Sequence, residues 1–349
     1  MKIVVLCGGL SMERNVSITS GTLICRALRD MGHKAILVDM FFGLEDIDTP
    51  VDKLFDELPE IRDAQVGSAI PDLKAVIASR KWKSPSKVGK GVFEVCALAD
   101  VVFLGLHGAC GEDGRIQAAF DLMGIPYTGS DYLGSAIAMD KNLTKRLALS
   151  AGVRTPRWQV VRYDQGDTLK QAAAVGLPCV VKPVDSGSSI GVAIAHTAQE
   201  LSDALEMNRP LGQCIVEQYI KGREIDVGVL KGEPLPSIEI RPKKGFYDYV
   251  NKYQAGATVE ICPSPIEPAI ESELRRMAAK VHALLGLKGY SRSDYIVDEN
   301  GDVYFIEINT LPGMTPTSLM PQEAAAVGID YKALCQTILD DALERSANA

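Results

Sequence analysis

The chain has 349 residues, of which 46% are hydrophobic and 23% charged, a balance that predicts a globular protein of two or three domains. The net charge of −8 argues against a surface that binds nucleic acid, and no apolar run approaches the roughly 18 residues that a membrane helix needs. Eight cysteines without a CxxC spacing fit a reducing cytosol, so we expect a cytoplasmic protein with no membrane attachment.

The N-terminal third of the chain predicts an open α/β sheet. A buried strand over residues 2–7, a helix and a second strand, AILVDM, make a βαβ unit, and residues 99–108 contain a further buried strand. Ligands bind at the carboxyl ends of strands in such sheets, which makes Glu13 and His107 candidate rim residues. Because the first βα turn lacks GxGxxG, a nicotinamide cofactor is disfavoured.

The middle of the chain offers a candidate phosphate site. Residues 179–195 predict a strand, a glycine loop and a second strand, with Lys182 at the end of the first strand. The loop, residues 186–191, could bring backbone N–H groups and hydroxyls to a phosphate. It is not a Walker A motif, because no GK[ST] follows the glycines, and a plain flexible hairpin is an equally good interpretation. Glu217 and Glu224 could bind an adenine and a ribose, or be ordinary surface charge at a strand end.

Residues 290–309, YSRSDYIVDENGDVYFIEIN, predict a β-hairpin. Asn300 and Gly301 lie between two apolar runs, which favours a two-residue type I′ turn because both residues tolerate a positive φ. That turn fixes the register and puts Asp294 directly opposite Glu307. Two carboxylates on facing residues, with Cβ atoms about 4.5–5.5 Å apart, repel each other unless something compensates their charge.

The same register brings further polar groups to this pair. Arg292 lies opposite Asn309, and the two-residue period of a strand places Asn309 and Glu307 on the face of Phe305. The two carboxylates could share one proton or form a salt bridge with Arg292. Two carboxylates and one amide are also the oxygen ligands that suit Mg²⁺ or Mn²⁺. We favour the metal, because the register collects three oxygen ligands and one cationic donor on one face.

Taken together, segments along most of the chain resemble the D-alanine:D-alanine ligases of the ATP-grasp superfamily. The matching segments are GGLSMERNVSITSG, LHGACGEDGRIQ, PYTGSDYLGSAIAMDK, VVKPVDSGSSIGV, LPSIEI, FYDYVNKY and FIEINTLPGMTPTSLMP. The resemblance implies an α/β, ATP-grasp fold of three α/β domains, with ATP between the central and C-terminal ones. The expected domains are residues 1–130, 131–212 and 213–349, the last with a mobile loop over 242–258. Residues 43–93 lie outside the resemblance.

The resemblance implies a reaction in which ATP and two D-alanines give D-alanyl-D-alanine, ADP and phosphate through a D-alanyl phosphate, for peptidoglycan precursor synthesis. The family is usually dimeric, so we expect a homodimer. A D-alanine:D-serine ligase, another ATP-grasp carboxylate–amine ligase and a non-catalytic nucleotide sensor stay open as alternatives. Tyr253 argues against D-lactate as second substrate, because relatives that make the ester usually carry another residue there.

The resemblance also implies roles for individual residues. The residues expected to bind ATP are Lys141, Lys182, Ser189, Glu217, Gln218, Glu224 and Lys252. The residues expected to hold two Mg²⁺ or Mn²⁺ ions are Asp294, Glu307 and Asn309. The residues expected to contact D-alanine are Glu13, His107, Tyr247, Lys252, Ser318 and Leu319. The residues expected to form the catalytic group are Glu13, Ser188, Tyr253, Arg292 and Gly313, the last two as donors to the oxyanion.

Two positions depart from the family pattern. Asn15 stands where the family usually has a carboxylate or a similar group, and Gln218 stands where lysine is frequent. A backbone contact to adenine would survive the change at Gln218, so the expectation of a nucleotide site is unaffected.

Overall fold

The computed structural model describes residues 1–61, 71–187, 190–243 and 256–347. Its helices are α1 (Arg14–Asp30), α2 (Leu73–Ser79), α3 (Val92–Ala97), α4 (Arg115–Met123), α5 (Tyr132–Met139), α6 (Lys141–Ser150), α7 (Thr168–Ala172), α8 (Ala198–Asn208), α9 (Pro268–Leu284), α10 (Leu319–Ala326) and α11 (Tyr331–Ala347), with 3₁₀ turns at Val51–Lys53 and Arg209–Leu211. Its strands are β1 (Lys2–Cys7), β2 (Lys34–Asp39), β3 (Val101–Leu104), β4 (Trp158–Arg162), β5 (Cys179–Lys182), β6 (Ala193–Ala195), β7 (Gln213–Gln218), β8 (Gly222–Leu230), β9 (Glu233–Pro234), β10 (Ile238–Pro242), β11 (Thr258–Ile261), β12 (Tyr290–Asp298) and β13 (Val303–Asn309). The predicted α/β class is confirmed. Among the described residues, no helix is long and apolar enough to cross a bilayer.

The N-terminal sheet has three parallel strands in the order β2-β1-β3. Helix α1 connects β1 to β2, as the βαβ pattern predicted, and the strands are almost wholly buried. The C-terminal helix α11 also packs on this core, because Leu334 and Ile338 join the same buried cluster as Ile3 and Val5. The chain therefore returns at its end to the sheet with which it began.

The central sheet is antiparallel, in the order β4-β7-β5-β6. The sequence predicted a domain boundary between residues 212 and 213, just before β7. Strand β7 instead forms its backbone hydrogen bonds with β4 and β5, so the central sheet extends to Gln218. A strand is part of the sheet whose ladder it completes, so β7 is a strand of the central sheet.

The C-terminal sheet is also antiparallel, in the order β11-β10-β8-β12-β13, with the short β9 paired to β8. Helix α9 covers one face, where Leu274, Val281 and Phe305 share a buried cluster. The segment EIDVGVLKGEPLPSIEI predicts a hairpin that turns at Lys231 and Gly232, and this turn is present, with φ of 52° and 82°. The opposite face of β12 and β13 borders the cleft described below.

The hairpin of β12 and β13 turns differently from the prediction. Asp298 N donates to Asp302 O at 3.0 Å and Gly301 N donates to Asp298 O at 3.1 Å, so the loop comprises the three residues 299–301. Gly301 alone takes a positive φ, of 82°. The predicted two-residue turn is therefore wrong by one residue, because a longer loop with a left-handed glycine is also compatible with Asn-Gly.

A second irregularity in the same hairpin restores the predicted pairing. Between Tyr295 and Asp294 the pairing of the two strands shifts by one residue, which leaves Ile306 as an extra residue in β13. Beyond this bulge Asp294 pairs with Glu307 and Arg292 pairs with Asn309, as predicted. The two offsets cancel, so the pairing at the polar end is right although the turn is not.

The bulge also changes which side chains share a face. Phe305 is completely buried in the core with Ile308, whereas Ile306 and Glu307 both line the cleft. The prediction that Glu307 lies on the face of Phe305 was wrong, because the extra residue interrupts the two-residue alternation.

Candidate active site

A cleft separates the central sheet from the C-terminal sheet. The residues that line it are Lys141, Pro156, Val180, Lys182, Pro183, Ser186, Val192, Ile194, Glu217, Gln218, Tyr219, Ile220, Glu224, Asp294, Tyr295, Ile296, Ile306 and Glu307. Apolar side chains from both sheets make two walls suited to a flat ring, and several charged side chains share the lining with them.

The central sheet holds a buried ion triad at the floor of the cleft. Glu217 Oε2 lies 3.0 Å from Lys182 Nζ, and Glu217 Oε1 lies 3.0 Å from Lys145 Nζ. Burial alone would raise the pKa of Glu217, but the two lysines outweigh it and the pKa lies below its ordinary value. Burial likewise acts to lower the pKa of Lys182, and Glu217 and Glu307 outweigh it in the opposite direction. All three groups are therefore charged at neutral pH.

Lys141 spans the cleft from the start of α6. The carboxylate of Asp140 caps this helix by accepting from Leu143 N at 2.9 Å, which fixes the direction of the first turn. Lys141 Nζ donates to the carbonyl of Ser186 at 2.6 Å and lies 3.4 Å from Glu307 Oε2. One ammonium group thus touches both the glycine loop and the C-terminal sheet.

The three predicted metal ligands meet at the polar end of β12 and β13. Asn309 Nδ2 lies 3.4 Å from Asp294 Oδ2, and Glu307 pairs with Asp294 across the ladder. Two carboxylates and an amide oxygen are a donor set that a hard divalent cation accepts, and nucleotide phosphates commonly complete such a set. The described residues form no cluster of three or more His, Cys, Asp or Glu side chains with metal geometry, so a cation here depends on the amide and on ligand oxygens.

Arg292 lies beside this set and holds two carboxylates. Its Nε is 2.9 Å from Asp226 Oδ2 and donates to Asp294 Oδ1 at 2.9 Å, while Nη2 donates to Asp294 Oδ2 at 3.0 Å. Burial and then the nearby Asp294 raise the pKa of Asp226 well above its usual range. The guanidinium is therefore oriented by acids on two neighbouring strands.

The N-terminal sheet contributes a second polar group where its strands end. His107 Nδ1 is 2.9 Å from the carbonyl of Leu311, and its Nε2 is 3.3 Å from Ser20 Oγ. Glu112 accepts from Gly108 N at 2.7 Å and from Leu311 N at 3.1 Å. Burial raises the pKa of Glu112 to about 8 and lowers the pKa of His107, so both groups favour the neutral form.

Glu13 connects this rim to the glycine loop. A Cβ atom added to Gly187 would come within 2.6 Å of Glu13 Oε2, and one added to Gly108 would come within 3.0 Å. Both positions therefore need glycine to let the carboxylate approach. Glu13 also acts, through its charge, on His107 and Glu112, which places these groups in one electrostatic cluster.

The segment after β13 brings three predicted residues together. Ser318 Oγ accepts from Thr315 N at 3.1 Å, and a Cβ atom on Gly313 would lie 2.9 Å from the same oxygen. Leu319 is buried against Ile238. This turn ends at the N-terminus of α10, whose N-cap is Ser318.

The remaining predicted residues divide into two groups. Gln218 and Glu224 line the cleft, and Gln218 Oε1 accepts from Arg157 Nε at 3.1 Å. The predicted residues that lie outside the described ranges are Ser188, Ser189, Tyr247, Lys252 and Tyr253.

Comparison with known families assigns most of the chain. Residues 2–130 match the family described as D-ala D-ala ligase N-terminus, and residues 147–340 match D-ala D-ala ligase C-terminus. The chain belongs to the D-alanine–D-alanine ligase family. A D-alanine–D-alanine ligase of Lacticaseibacillus casei is 41% identical over 350 residues, which cover 100% of this chain and 97% of that protein. One of Aquifex aeolicus is 35% identical, over 97% of this chain and 100% of its own.

Solved structures agree with this family assignment. The D-alanine–D-alanine ligase of Bacillus anthracis superposes with a TM-score of 0.76 at 30% identity, over 100% of this chain and 99% of that one. The same bacterium's ligase complexed with ATP superposes with a TM-score of 0.75 at 26% identity, over the same shares of the two chains. The predicted ATP-grasp architecture is confirmed.

Sequence reasoning missed two buried residues in this ligase-family site. Lys145 lies four residues after Lys141, on the same side of a helix, and that spacing could have flagged it. Glu112 lies in the GEDG loop, where the sequence offered no partner for it. Its partners, Gly108 and Leu311, come from distant parts of the chain.

Proposed function

We propose that the protein joins two D-alanines in an ATP-dependent reaction that passes through a D-alanyl phosphate and supplies peptidoglycan precursors. The observation that carries the proposal is the cleft, in which lysines of the central sheet face the opposed pair Asp294 and Glu307 of the C-terminal sheet. Phosphoryl transfer depends on positioning and on neutralising the phosphate charge, which the lysines would do directly and the two carboxylates through a divalent cation that they hold. Family membership over the full chain supports the same assignment.

ATP is expected to bind with its ring between the apolar walls and its phosphates near the charged side chains. Lys141 and Lys182 would contact the phosphates, and Glu224 would serve the ribose. Asp294, Glu307 and Asn309 would hold Mg²⁺ or Mn²⁺, two ions in our proposal, and a bound ion neutralises phosphate charge. The donor types at this corner and the nearby lysines support that arrangement.

The two D-alanines are expected to occupy the space beside the phosphates. Glu13 would accept a hydrogen bond from the ammonium group of the first D-alanine, with His107 nearby. Ser318 and Leu319 would contact the second. When its amine attacks the acyl phosphate, the charge that develops on the carbonyl oxygen needs donors, and Arg292 with the Gly313 amide would supply them.

Arg292 suits this oxyanion role because Asp226 and Asp294 already fix its orientation. A donor that is held in place before the reaction needs no reorganisation as charge develops, which is the condition for effective stabilisation. Ser188 and Tyr253 complete the proposed group around Glu13, and Tyr247, Lys252, Ser189 and Gln218 complete the proposed substrate and nucleotide contacts.

The cellular setting is proposed on separate grounds. All eight cysteines are free thiols, which fits a reducing compartment such as the cytoplasm. A homodimer is proposed from the resemblance alone. Sedimentation velocity at micromolar protein would test it, and a single species at the mass of one chain would contradict it.

The first test is phosphate release from ATP in the presence of Mg²⁺ and D-alanine, with mass spectrometry of the product. We expect phosphate and D-alanyl-D-alanine in equal amounts. Competition between D-alanine and D-serine then tests the alternative acceptor, and a mixed dipeptide as the main product would favour it. ATP binding without turnover on either amino acid would overturn the proposal.

A further inference from the structure

Lys145 is completely buried on helix α6. Its Nζ lies 3.0 Å from Glu217 Oε1 and donates a hydrogen bond to Thr155 Oγ1. The ring of Trp158 lies 5.4 Å from the same ammonium. A lysine with no exposed surface loses its hydration, so its burial needs a specific compensating partner.

Glu217 is the compensating partner of Lys145, and the charges around it indicate the role of the pair. Glu217 is 3% exposed, and its two carboxylate oxygens are divided between two lysines, Oε1 facing Lys145 and Oε2 facing Lys182. The triad carries a net charge of +1. Lys182 borders the cleft, whereas Lys145 is not one of the cleft-lining residues. The extra charge of the triad is thus presented to the cleft by Lys182.

A second connection ties Lys145 to the opposite sheet. Thr155, which accepts from Lys145, donates its own hydroxyl to the carbonyl of Phe305 at 2.9 Å. Phe305 N in turn donates to the carbonyl of Arg154 at 2.8 Å. Phe305 immediately precedes the bulge that carries Ile306 and Glu307 into the cleft. The buried ammonium therefore lies at the junction of the two sheets that enclose the cleft.

We propose that Lys145 is a positioning residue for ATP binding, which holds one oxygen of Glu217 so that the ammonium of Lys182 stays available to the phosphates. Without Lys145, both oxygens of Glu217 would turn to Lys182, draw its ammonium away from the cleft and cancel its charge. The inference rests on the proposed function for the location of the phosphates. Burial lowers the pKa of Lys145 to about 8 despite Glu217, so the group is charged at pH 7.

The test measures binding directly, so that it does not depend on turnover. The variant is Lys145→Met, and the readout is the dissociation constant of a non-hydrolysable ATP analogue with Mg²⁺, by calorimetry on the full chain at pH 7. We expect affinity to fall about tenfold, because the variant weakens one charge interaction between Lys182 and the phosphates without removing the lysine itself. The KM for D-alanine should stay within about twofold. The matched control is Arg146→Met, which removes an exposed charge from the same helix and should leave nucleotide affinity unchanged.

A double-mutant cycle with Glu217→Gln decides whether Lys145 acts through Glu217. If it does, Lys145→Met should lower the affinity for the ATP analogue by less than about threefold in the Glu217→Gln background, because no carboxylate remains to compete for Lys182. An equal cost in both backgrounds would overturn the proposal, since Lys145 would then act only as a distant charge. Loss of thermal stability with unchanged nucleotide affinity would overturn it in favour of a structural role.

Misfolding of the variant, failure of the ligase assignment and failure of the role of Lys145 can each be told apart. If Lys145→Met does not fold, Lys145→Gln takes its place in the cycle, because glutamine keeps a hydrogen bond but not the charge. If the wild-type chain binds the analogue but does not ligate D-alanine, the proposed function fails while the role of Lys145 is still measured. If the analogue binds equally well to wild type and variant, the role of Lys145 fails and the ligase assignment stands.

Discussion

The two sides of the cleft carry opposite charge. The cationic wall, from the central sheet and α6, presents Lys141, Lys182 and Glu217 to the cleft, with Lys145 buried behind them. The acidic wall, from the C-terminal sheet and α10, presents Asp294 and Glu307 to the cleft, with Arg292 beside them and the buried Asp226 and Glu323 behind. On the first wall lysines outnumber the carboxylate, and on the second carboxylates outnumber the guanidinium.

This difference shows in the ionisation of the buried carboxylates. Between two lysines, the pKa of Glu217 lies below its ordinary value although the group is buried. On the acidic wall, burial raises the pKa of Asp226 and of Glu323 well above their usual ranges, and Asp294 adds to the rise in both. Asp226 and Glu323 therefore favour the neutral form, whereas Asp294 and Glu307, without compensation of their charge, would repel a polyphosphate. A divalent cation between the two resolves the conflict, which is the physical reason to expect one at Asp294 and Glu307.

The largest effect is expected from Arg292→Ala, which removes the cation of the acidic wall. We expect kcat to fall by about 10²–10³-fold, the usual cost of losing one oxyanion donor, with little change in the KM for ATP. Steady-state phosphate release measures both. Arg292→Lys keeps the charge but not the forked guanidinium that spans Asp226 and Asp294, so its kcat should lie between those of the wild type and the alanine variant. A kcat near the wild-type value for the alanine variant would refute the role of Arg292.

A smaller effect is expected from Glu307→Gln, which removes one negative charge from the acidic wall. The Mg²⁺ concentration for half-maximal activity should rise at least about tenfold, because the variant loses an anionic ligand. A Mg²⁺ titration of phosphate release at saturating ATP measures this. Glu299→Gln removes an exposed charge from the loop of the same hairpin and serves as control. If both variants show wild-type Mg²⁺ dependence, Glu307 is not a ligand and the compensation of the acidic wall must come from elsewhere.

His282 supports the acidic wall from behind, and a variant at this residue tests that structural support apart from the chemistry of the wall. This side chain, on α9, is 4% exposed and contacts Ser291 Oγ at 2.7 Å on the strand that carries Arg292. Burial, and then Lys288, lower the pKa of His282 to about 4 from the ordinary histidine value of about 6.5. Between those pH values the unfolded chain binds a proton that the folded chain does not. Stability is therefore complete above about pH 6.5 and falls as pH drops towards 4, by about 3 kcal/mol in total.

Urea unfolding of the wild type and of His282→Asn at pH 7 and pH 4.5 measures this contribution. The variant should lose less stability than the wild type between the two pH values, because it has no group to protonate. At pH 7 its KM for ATP should equal that of the wild type. An equal loss of stability in both proteins would show that His282 does not titrate as described.

Much of the fold could be predicted from local pattern, and the long-range features that were missed share one cause. The βαβ unit, the turn at Lys231 and the strand–loop–strand around Lys182 follow from periodicity and turn residues, which act over a few positions. The return of α11 to the first sheet and the burial of Lys145 depend on partners far away in sequence. A pattern within one segment does not encode such partners, so these features became visible only once the segments had been packed together.

The hairpin of β12 and β13 gives the most instructive case and the smallest expected effect. The prediction of a two-residue turn failed, yet Asp294 and Glu307 still pair, because the bulge at Ile306 offsets the longer loop. If the bulge sets the register at the site, a defect in the turn should reduce stability without altering metal dependence. Gly301→Ala is that defect, since Gly301 has a φ of +82° and a Cβ atom there would lie 3.2 Å from Ile270 Cδ1.

We expect Gly301→Ala to lower the free energy of unfolding by about 1–2 kcal/mol, the cost of a left-handed conformation for a residue with a Cβ atom. Gly212→Ala is the matched control for the cost of the left-handed backbone conformation, because Gly212 has a φ of +78° and nothing lies within 4 Å of its added Cβ. Any excess loss at Gly301 measures the contact with Ile270. The Mg²⁺ titration should be unchanged in both variants. A shifted titration for Gly301→Ala would mean that the turn, and not the bulge, determines the pairing of the two carboxylates.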